Sequence, residues 1–264
     1  MTQLVVPIDD EARGLAANVG STPYEARLIL NSGMPAIVLT SPGRDRADDV
    51  ATKIAARGNG VLVVDSSAIV ASADMIALRR FRFDPDAVVT DDRPDSRLLY
   101  DDVFAILRAS HRQLTETRVE GTKSQFSASR AIATGGLIMS SKVKTDTTST
   151  LEEKEQVLYL FPRGGAMPWI LRETSTNYSG LGSALGPSRA QNFTSTVRML
   201  RERMPRATYD ERLVSAKRIG EKVTSRGTRE SGKATSSSSE SGVDLLAHIL
   251  ATWISQSASA PYRT

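Results

Sequence analysis

The chain has 264 residues, of which 40% are hydrophobic and 24% charged, and this composition is typical of a globular protein rather than of a chain disordered throughout. It contains no cysteine, which excludes disulfides, thiolate catalysis and cysteine-ligated zinc. The formal net charge is +4 and the pI is about 9.4, but an aromatic content of only 5% does not favour stacking platforms for single-stranded nucleic acid.

The length and the N-terminal sequence set expectations about organisation and location. The length exceeds that of one compact domain, so we expect two modest domains with irregular segments. The first residues, MTQLVVPIDDEAR, lack the basic region and apolar core of a secretory signal. No run approaches the roughly 20 apolar residues that span a bilayer. We therefore expect a cytoplasmic protein without a membrane span.

The first 65 residues predict a β-α-α-β-α-β unit. After the apolar LVVPI, acidic residues favour the start of a first helix, which ends at Gly20. Ser21 or Thr22 caps a second helix. The apolar runs PAIVLT and GVLVVD predict strands on either side of a third helix, over about 44–57. Residues 1–75 thus predict a small two-layer α+β domain.

The stretch VGSTPYEARLIL within this unit resembles the C-terminal domain of the bacterial ribosomal stalk protein, in which a glycine precedes a helix opening with Glu-Ala-Lys. Gly20 and the triplet Glu25-Ala26-Arg27 occupy the matching positions, and DDVATKIAARGNGVLV resembles the final helix, glycine and strand of that domain. The adaptor subunit of the Clp protease has a similar small fold. The resemblance implies that the surface of the second helix, with Tyr24, Glu25 and Arg27, binds another protein. In the alternative, its apolar residues are core and Arg27 is a solvated charge.

From residue 76 the pattern changes to short strands and turns. The stretch ALRRFRF, a turn at Asp84-Pro85-Asp86 and the run AVVT predict a hairpin within a connection over 76–97. Residues 98–214 predict a second domain of antiparallel strands, with a hairpin through Arg163-Gly164-Gly165. A helix capped by Ser188 and Gln191 closes it, with one apolar face formed by Phe193, Val197, Leu200 and Met204. This architecture is similar to that of pleckstrin-homology-like domains.

The C-terminal part predicts a flexible linker followed by a docking helix. Residues 215–242 are rich in Lys, Arg, Gly and Ser, and cannot bury enough apolar surface to offset the entropy of ordering. An amphipathic helix follows over 243–256. We predict that Leu246, Leu250 and Trp253 dock this helix into a groove on a partner or on the chain's own body.

The excess positive charge lies in the linker, since the charges of residues 1–214 nearly balance. Two glutamates accompany the basic side chains of this arm, which are Lys217, Arg218, Lys222, Arg226, Arg229 and Lys233. Such an arm predicts contact with nucleic acid or an acidic partner. Alternatively, it only keeps a tether soluble. Nearby arginines extend the nucleic-acid hypothesis: Arg198, Arg201, Arg203 and Arg206.

No motif of a catalytic or cofactor site stands out. His111 and His248 lie in different elements without companion ligands at metal spacing. The glycine-rich loop from Gly180 to Gly186 precedes a helix but lacks the dinucleotide and phosphate-loop patterns. We therefore expect no catalytic residue, metal or cofactor, and predict a non-catalytic protein-interaction or adaptor protein. A nucleic-acid-associated protein is the alternative, and an enzyme with an unrecognised site comes third.

Overall fold

A computed structural model describes residues 8–31, 36–91, 96–126, 140–215 and 234–259 and confirms the α+β class. Its helices are α1 (Ile8–Val19), α2 (Pro23–Asn31), α3 (Arg44–Ala55), α4 (Arg189–Arg203) and α5 (Glu240–Ser259). Its strands are β1 (Ile76–Ala77), β2 (Phe81–Phe83), β3 (Ala87–Thr90), β4 (Arg97–Leu99), β5 (Val103–Phe126), β6 (Ser140–Pro162), β7 (Trp169–Arg172), β8 (Thr208–Leu213) and β9 (Ala234–Ser238).

The chain forms two compact units, and their boundaries differ from the predicted domains. The first unit takes its described residues from 8–111, 155–215 and 239–259, and the second from 112–154 and 234–238. The division crosses β5 and β6, because both strands are long enough to belong to both units. Local composition cannot show such a boundary, since it lies inside regular strands.

The main sheet of the first unit has helices on both faces. Its strands follow the order β1-β7-β6-β5-β8. The pairing of β6 with β7 is antiparallel and confirms the predicted hairpin, whereas β1 pairs with β7, and β8 with β5, in parallel. Residues 157–161 of β6 are all buried, and alternate between two hydrophobic cores, one containing α4 and the other α5.

A smaller antiparallel sheet of β2, β3 and β4 packs against the core of α4. The pairing of Phe81 with Thr90 confirms the predicted hairpin. A short 3-10 segment, Tyr178–Ala184, approaches β2 closely, because a Cβ atom at Gly180 would lie 2.0 Å from the carbonyl oxygen of Phe81. This glycine of the predicted loop therefore serves packing.

The N-terminal segment forms its three predicted helices, but the two predicted strands that lie within the described residues are absent. Helices α1, α2 and α3 enclose a core of small and aliphatic side chains, namely Ala12, Leu15, Ala16, Ala26, Val50 and Ile54. Residues 36–40 and 61–65 form no strand, and the expected strand LVVPI lies outside the described residues. Instead, Val38, Leu39 and Val61 pack against the helices. Burial against helices explains the apolar runs without strand pairing.

Within the predicted linker over 215–242, residues 234–238 and 240–242 form regular secondary structure. Residues 234–238 form β9, which pairs antiparallel with β5 from Gln113↔Ser238 to Thr117↔Ala234 in the second unit. Helix α5 begins at Glu240 and extends to Ser259, beyond the predicted 243–256. A serine-rich segment forms a strand here because β5 supplies the hydrogen-bonding partner. Residues 216–233, with all six basic side chains of the arm, lie outside the described residues.

Candidate functional site

Helix α5 docks on the chain's own sheet. Leu246 and Leu250 are only 1% and 2% exposed, and they pack with Leu107, Tyr159 and Phe161 of β5 and β6. Of the two docking places predicted for this helix, a groove on a partner or on the chain's own body, these contacts correspond to the second, because in this conformation the leucines are core residues. Trp253 is partly buried, with its indole ring against Gly60, where a Cβ atom would lie 2.4 Å from the ring.

A buried polar network fixes α5 to this sheet, with Asp244 at its centre. The Asp244 carboxylate is 2% exposed and accepts a hydrogen bond from the Ser72 amide at 2.8 Å. The Ser72 hydroxyl donates to Oδ1 of the same carboxylate, and the Tyr159 hydroxyl donates to it at 2.7 Å. The three bonds offset the desolvation of a buried acceptor. Burial raises the pKa of the Tyr159 phenol, so this donor keeps its proton.

His111 extends the network from β5. Its Nε2 lies 2.7 Å from the Tyr159 hydroxyl oxygen. Because the single Tyr159 proton goes to Asp244, Nε2 of His111 must carry the proton that it shares with Tyr159. Among the described residues Nδ1 of His111 has no hydrogen-bond partner. Burial, aided by the positive charge of Arg172, lowers the pKa of His111 to about 3, so the ring is neutral at neutral pH.

Two further contacts attach α5. His248 Nδ1 donates to the carbonyl oxygen of Asp244 at 2.8 Å, and its Nε2 accepts from the Val70 amide at 3.3 Å. Both ring nitrogens thus have partners in the neutral form, and burial lowers the pKa of His248. At the start of the helix, Glu240 forms an ion pair with Arg172 of β7. Together these contacts hold α5 against the sheet as part of the core.

The network has the residue types of a proton relay, but its side chains are buried and hydrogen-bond to one another, which holds α5 on the sheet. Ser72, His111 and Asp244 are each buried. A groove beside α4 is lined by other residues. The two histidines were not predicted to share a site, because they lie in different elements of the sequence. Tyr159 and Asp244 connect them, and these two residues lie 85 positions apart in the chain, so no local motif could reveal the cluster.

The neutral state of His111 predicts a pH dependence of stability. Its folded pKa of about 3 lies below the unfolded value near 6.5. Between these values the unfolded chain takes up a proton that the folded chain does not, so stability falls as pH falls. We expect a loss of about 3 kcal/mol in unfolding free energy from His111 between pH 7 and pH 4.

Urea unfolding of the wild type and of a His111→Gln variant across this pH range checks the prediction. The glutamine amide can still donate to Tyr159 but does not titrate. The variant should therefore lack this part of the pH dependence. Equal slopes for the two proteins would show that His111 is not held neutral.

Helix α2 presents the predicted partner-binding residues. Tyr24 and Leu28, one turn apart, are 70% and 50% exposed. Glu25 forms a reciprocal capping box with Thr22, at 2.9 Å from the Thr22 amide and 3.2 Å back to its own amide. Arg27 pairs with Asp9 of α1 at 3.0 Å. Of the three predicted residues on α2, Glu25 and Arg27 stabilise the fold, and Tyr24 is mainly exposed to solvent.

The arginines of the nucleic-acid hypothesis have mixed surroundings. Two of them lie near carboxylates: Arg198 is 4.0 Å from Glu202, and Arg206 is 3.6 Å from Asp101. The guanidinium of Arg203 lies over the ring of Phe83. Arg201 stacks over the ring of Tyr209. Two of the four positive charges are therefore offset by neighbouring carboxylates.

The glycine loop before α4 is closed by the helix itself. The Gly186 amide donates to Asn192 Oδ1 at 2.6 Å, and Asn192 Nδ2 donates to the Gly186 carbonyl at 3.2 Å. Ser188 caps the helix by accepting from the Gln191 amide at 3.3 Å, as predicted. These amides are thus used within the fold. Among the described residues no group of three or more histidine or acidic side chains is arranged to hold a metal ion.

Comparisons with protein families, curated proteins and solved structures give no match for this chain. The resemblances to the stalk and pleckstrin-homology-like domains therefore stay predictions. None of the helices in the described ranges is both long enough and apolar enough to cross a membrane.

Proposed function

We propose that this chain is a cytoplasmic, non-catalytic protein-interaction protein whose partner binds the exposed face of α2. The observation that carries the proposal is the exposure of Tyr24 and Leu28 on adjacent turns of that helix. Residues four apart lie on one helix face, so the two side chains form a single apolar patch. An exposed apolar patch with a polar rim is a common mark of a protein-binding surface.

The surroundings of the patch support a rigid binding face. Ala26 is fully buried between α2 and its neighbours, which fixes the opposite side of the helix. The capping box at Thr22 holds the helix start, and the pair of Arg27 with Asp9 forms a charged rim. A tyrosine anchor beside an aliphatic side chain contributes large contact area at low entropy cost. The same face is the one that the stalk-domain resemblance implies.

Photo-cross-linking from α2 tests this proposal. A photoreactive phenylalanine analogue replaces Tyr24 in the full chain, and a second protein carries it at Leu185, which is also exposed but lies outside α2. In lysate of the source cells we expect one dominant cross-linked partner from position 24 and none from position 185. A Leu28→Ser substitution should weaken that cross-link at least about fivefold, as expected for an apolar contact at an interface.

The competing functions give other outcomes. Cross-links of equal yield from both positions would indicate random collision and contradict the proposal. Recovery of nucleic acid instead of protein, with affinity falling steeply as salt rises, would favour the nucleic-acid alternative. Circular dichroism of each variant serves as the folding control, because Tyr24, Leu28 and Leu185 are all exposed.

A further inference from the structure

A groove opens between the C-terminal half of α4 and the start of β8. It has a volume of about 450 Å³, within the range of roughly 300 to 1,000 Å³ that small-molecule sites occupy. Its lining residues are Ile106, Arg198, Arg201, Glu202, Met204, Pro205, Ala207 and Tyr209. The groove therefore combines an apolar floor with a charged rim.

The floor belongs to the hydrophobic core of the first unit. Ile106 and Met204 are buried members of that core, and Ala207 and Tyr209 pack against it. Pro205 fixes the chain direction where α4 ends and the segment toward β8 begins. Such a floor changes little in shape when a ligand arrives, so an apolar group can bind there without reordering the chain.

Arg201 is the distinctive group at the rim. Its guanidinium lies 3.9 Å from the centre of the Tyr209 ring, and it forms no ion pair with a described carboxylate. Tyr209 is itself oriented, because its hydroxyl donates to Glu211 at 3.0 Å. Stacking on an aromatic ring restricts the arginine side chain while leaving its N–H edge able to donate. The result is a preorganised cation above an apolar floor.

We propose that this groove binds a small amphipathic anion, with its carboxylate or phosphate on Arg201 and its apolar part over Pro205 and Ala207, above the buried Met204. A guanidinium recognises both kinds of oxyanion through paired N–H donors. A nucleic-acid chain fits less well, because a polyanion needs several cations without carboxylates beside them. Here Glu202 lines the groove, and Glu211 accepts a hydrogen bond from the hydroxyl of Tyr209. This inference does not depend on a partner at α2.

Titration with octanoate and octyl phosphate, followed by NMR of the full chain, tests the proposal. Labels on the Met204 methyl group and the Arg201 Nε–H report on the floor and the rim. We expect saturable shifts at both places with at least one of the two probes, and the stronger binder identifies the head group. Octanol carries the same tail without charge and should bind at least about tenfold more weakly.

Two variants locate the effect. Arg201→Gln should weaken binding of the preferred anion at least about tenfold, whereas the matched Arg206→Gln, outside the groove lining, should change it less than threefold. Both side chains are exposed, so circular dichroism should be unchanged. Equal weakening by the two variants, octanol binding as tight as the anions, absence of saturation with both probes, or displacement of the anion by a single-stranded oligonucleotide would each overturn the proposal.

Discussion

Replacing Asp244 with alanine is expected to lower the unfolding free energy by about 3 to 5 kcal/mol. The substitution leaves the Ser72 amide, the Ser72 hydroxyl and the Tyr159 hydroxyl without their acceptor inside the fold. Buried donors without partners carry the full desolvation penalty, which is larger than the net worth of each bond. Urea unfolding followed by circular dichroism measures the change.

Tyr159→Phe is the graded control for this prediction. It removes one donor to Asp244 and the acceptor of the His111 Nε2–H, and it leaves both bonds from Ser72. We expect about 1 to 2 kcal/mol of destabilisation. If Asp244→Ala cost no more than Tyr159→Phe, the carboxylate would not be the centre of the network.

Leu250→Ala is expected to destabilise the protein by about 2 to 5 kcal/mol. Leu250 is buried against the sheet together with Leu246 and Ala247, so truncation leaves a cavity beneath α5. Thermal or urea unfolding measures the loss. A docking helix that sat outside the fold would instead tolerate this substitution without any change in stability.

Leu185→Ala is the matched control, because the same side chain is half exposed at that position. Its expected effect is within about 0.5 kcal/mol. Trp253→Ala should fall between the two leucine variants, since the indole ring is partly buried against Gly60. An effect of Leu250→Ala as small as that of Leu185→Ala would contradict the docking of α5 in cis.

The elements that the sequence predicts well are those with local signals. Ser188 and the apolar face through Phe193, Val197 and Leu200 identify α4, and the residues Arg163-Gly164-Gly165 identify the turn between β6 and β7. The existence of α5 also follows from its period. The position of α5 in the core does not follow from this period, because the sequence of an amphipathic helix does not specify which surface the helix covers.

The remaining errors have a common physical origin in long-range pairing. An apolar run such as residues 36–40 is compatible with a strand or with packing against helices, and only its neighbours decide. Residues 234–238 have a linker's composition yet form β9, because β5 offers a strand edge. Likewise, Ser72, His111, Tyr159 and Asp244 carry no spacing signal, since four separate segments bring them together.

The order of the two cores along the chain has a consequence for biosynthesis. The core beneath α4 is complete once residue 209 has emerged from the ribosome, because none of its members comes from α5. The opposite face of the same sheet stays uncovered until residues 243–251 are made. The nascent protein therefore exposes a wide apolar surface late in translation. Exposed apolar surface of this kind is what makes folding intermediates prone to aggregation before the chain is complete.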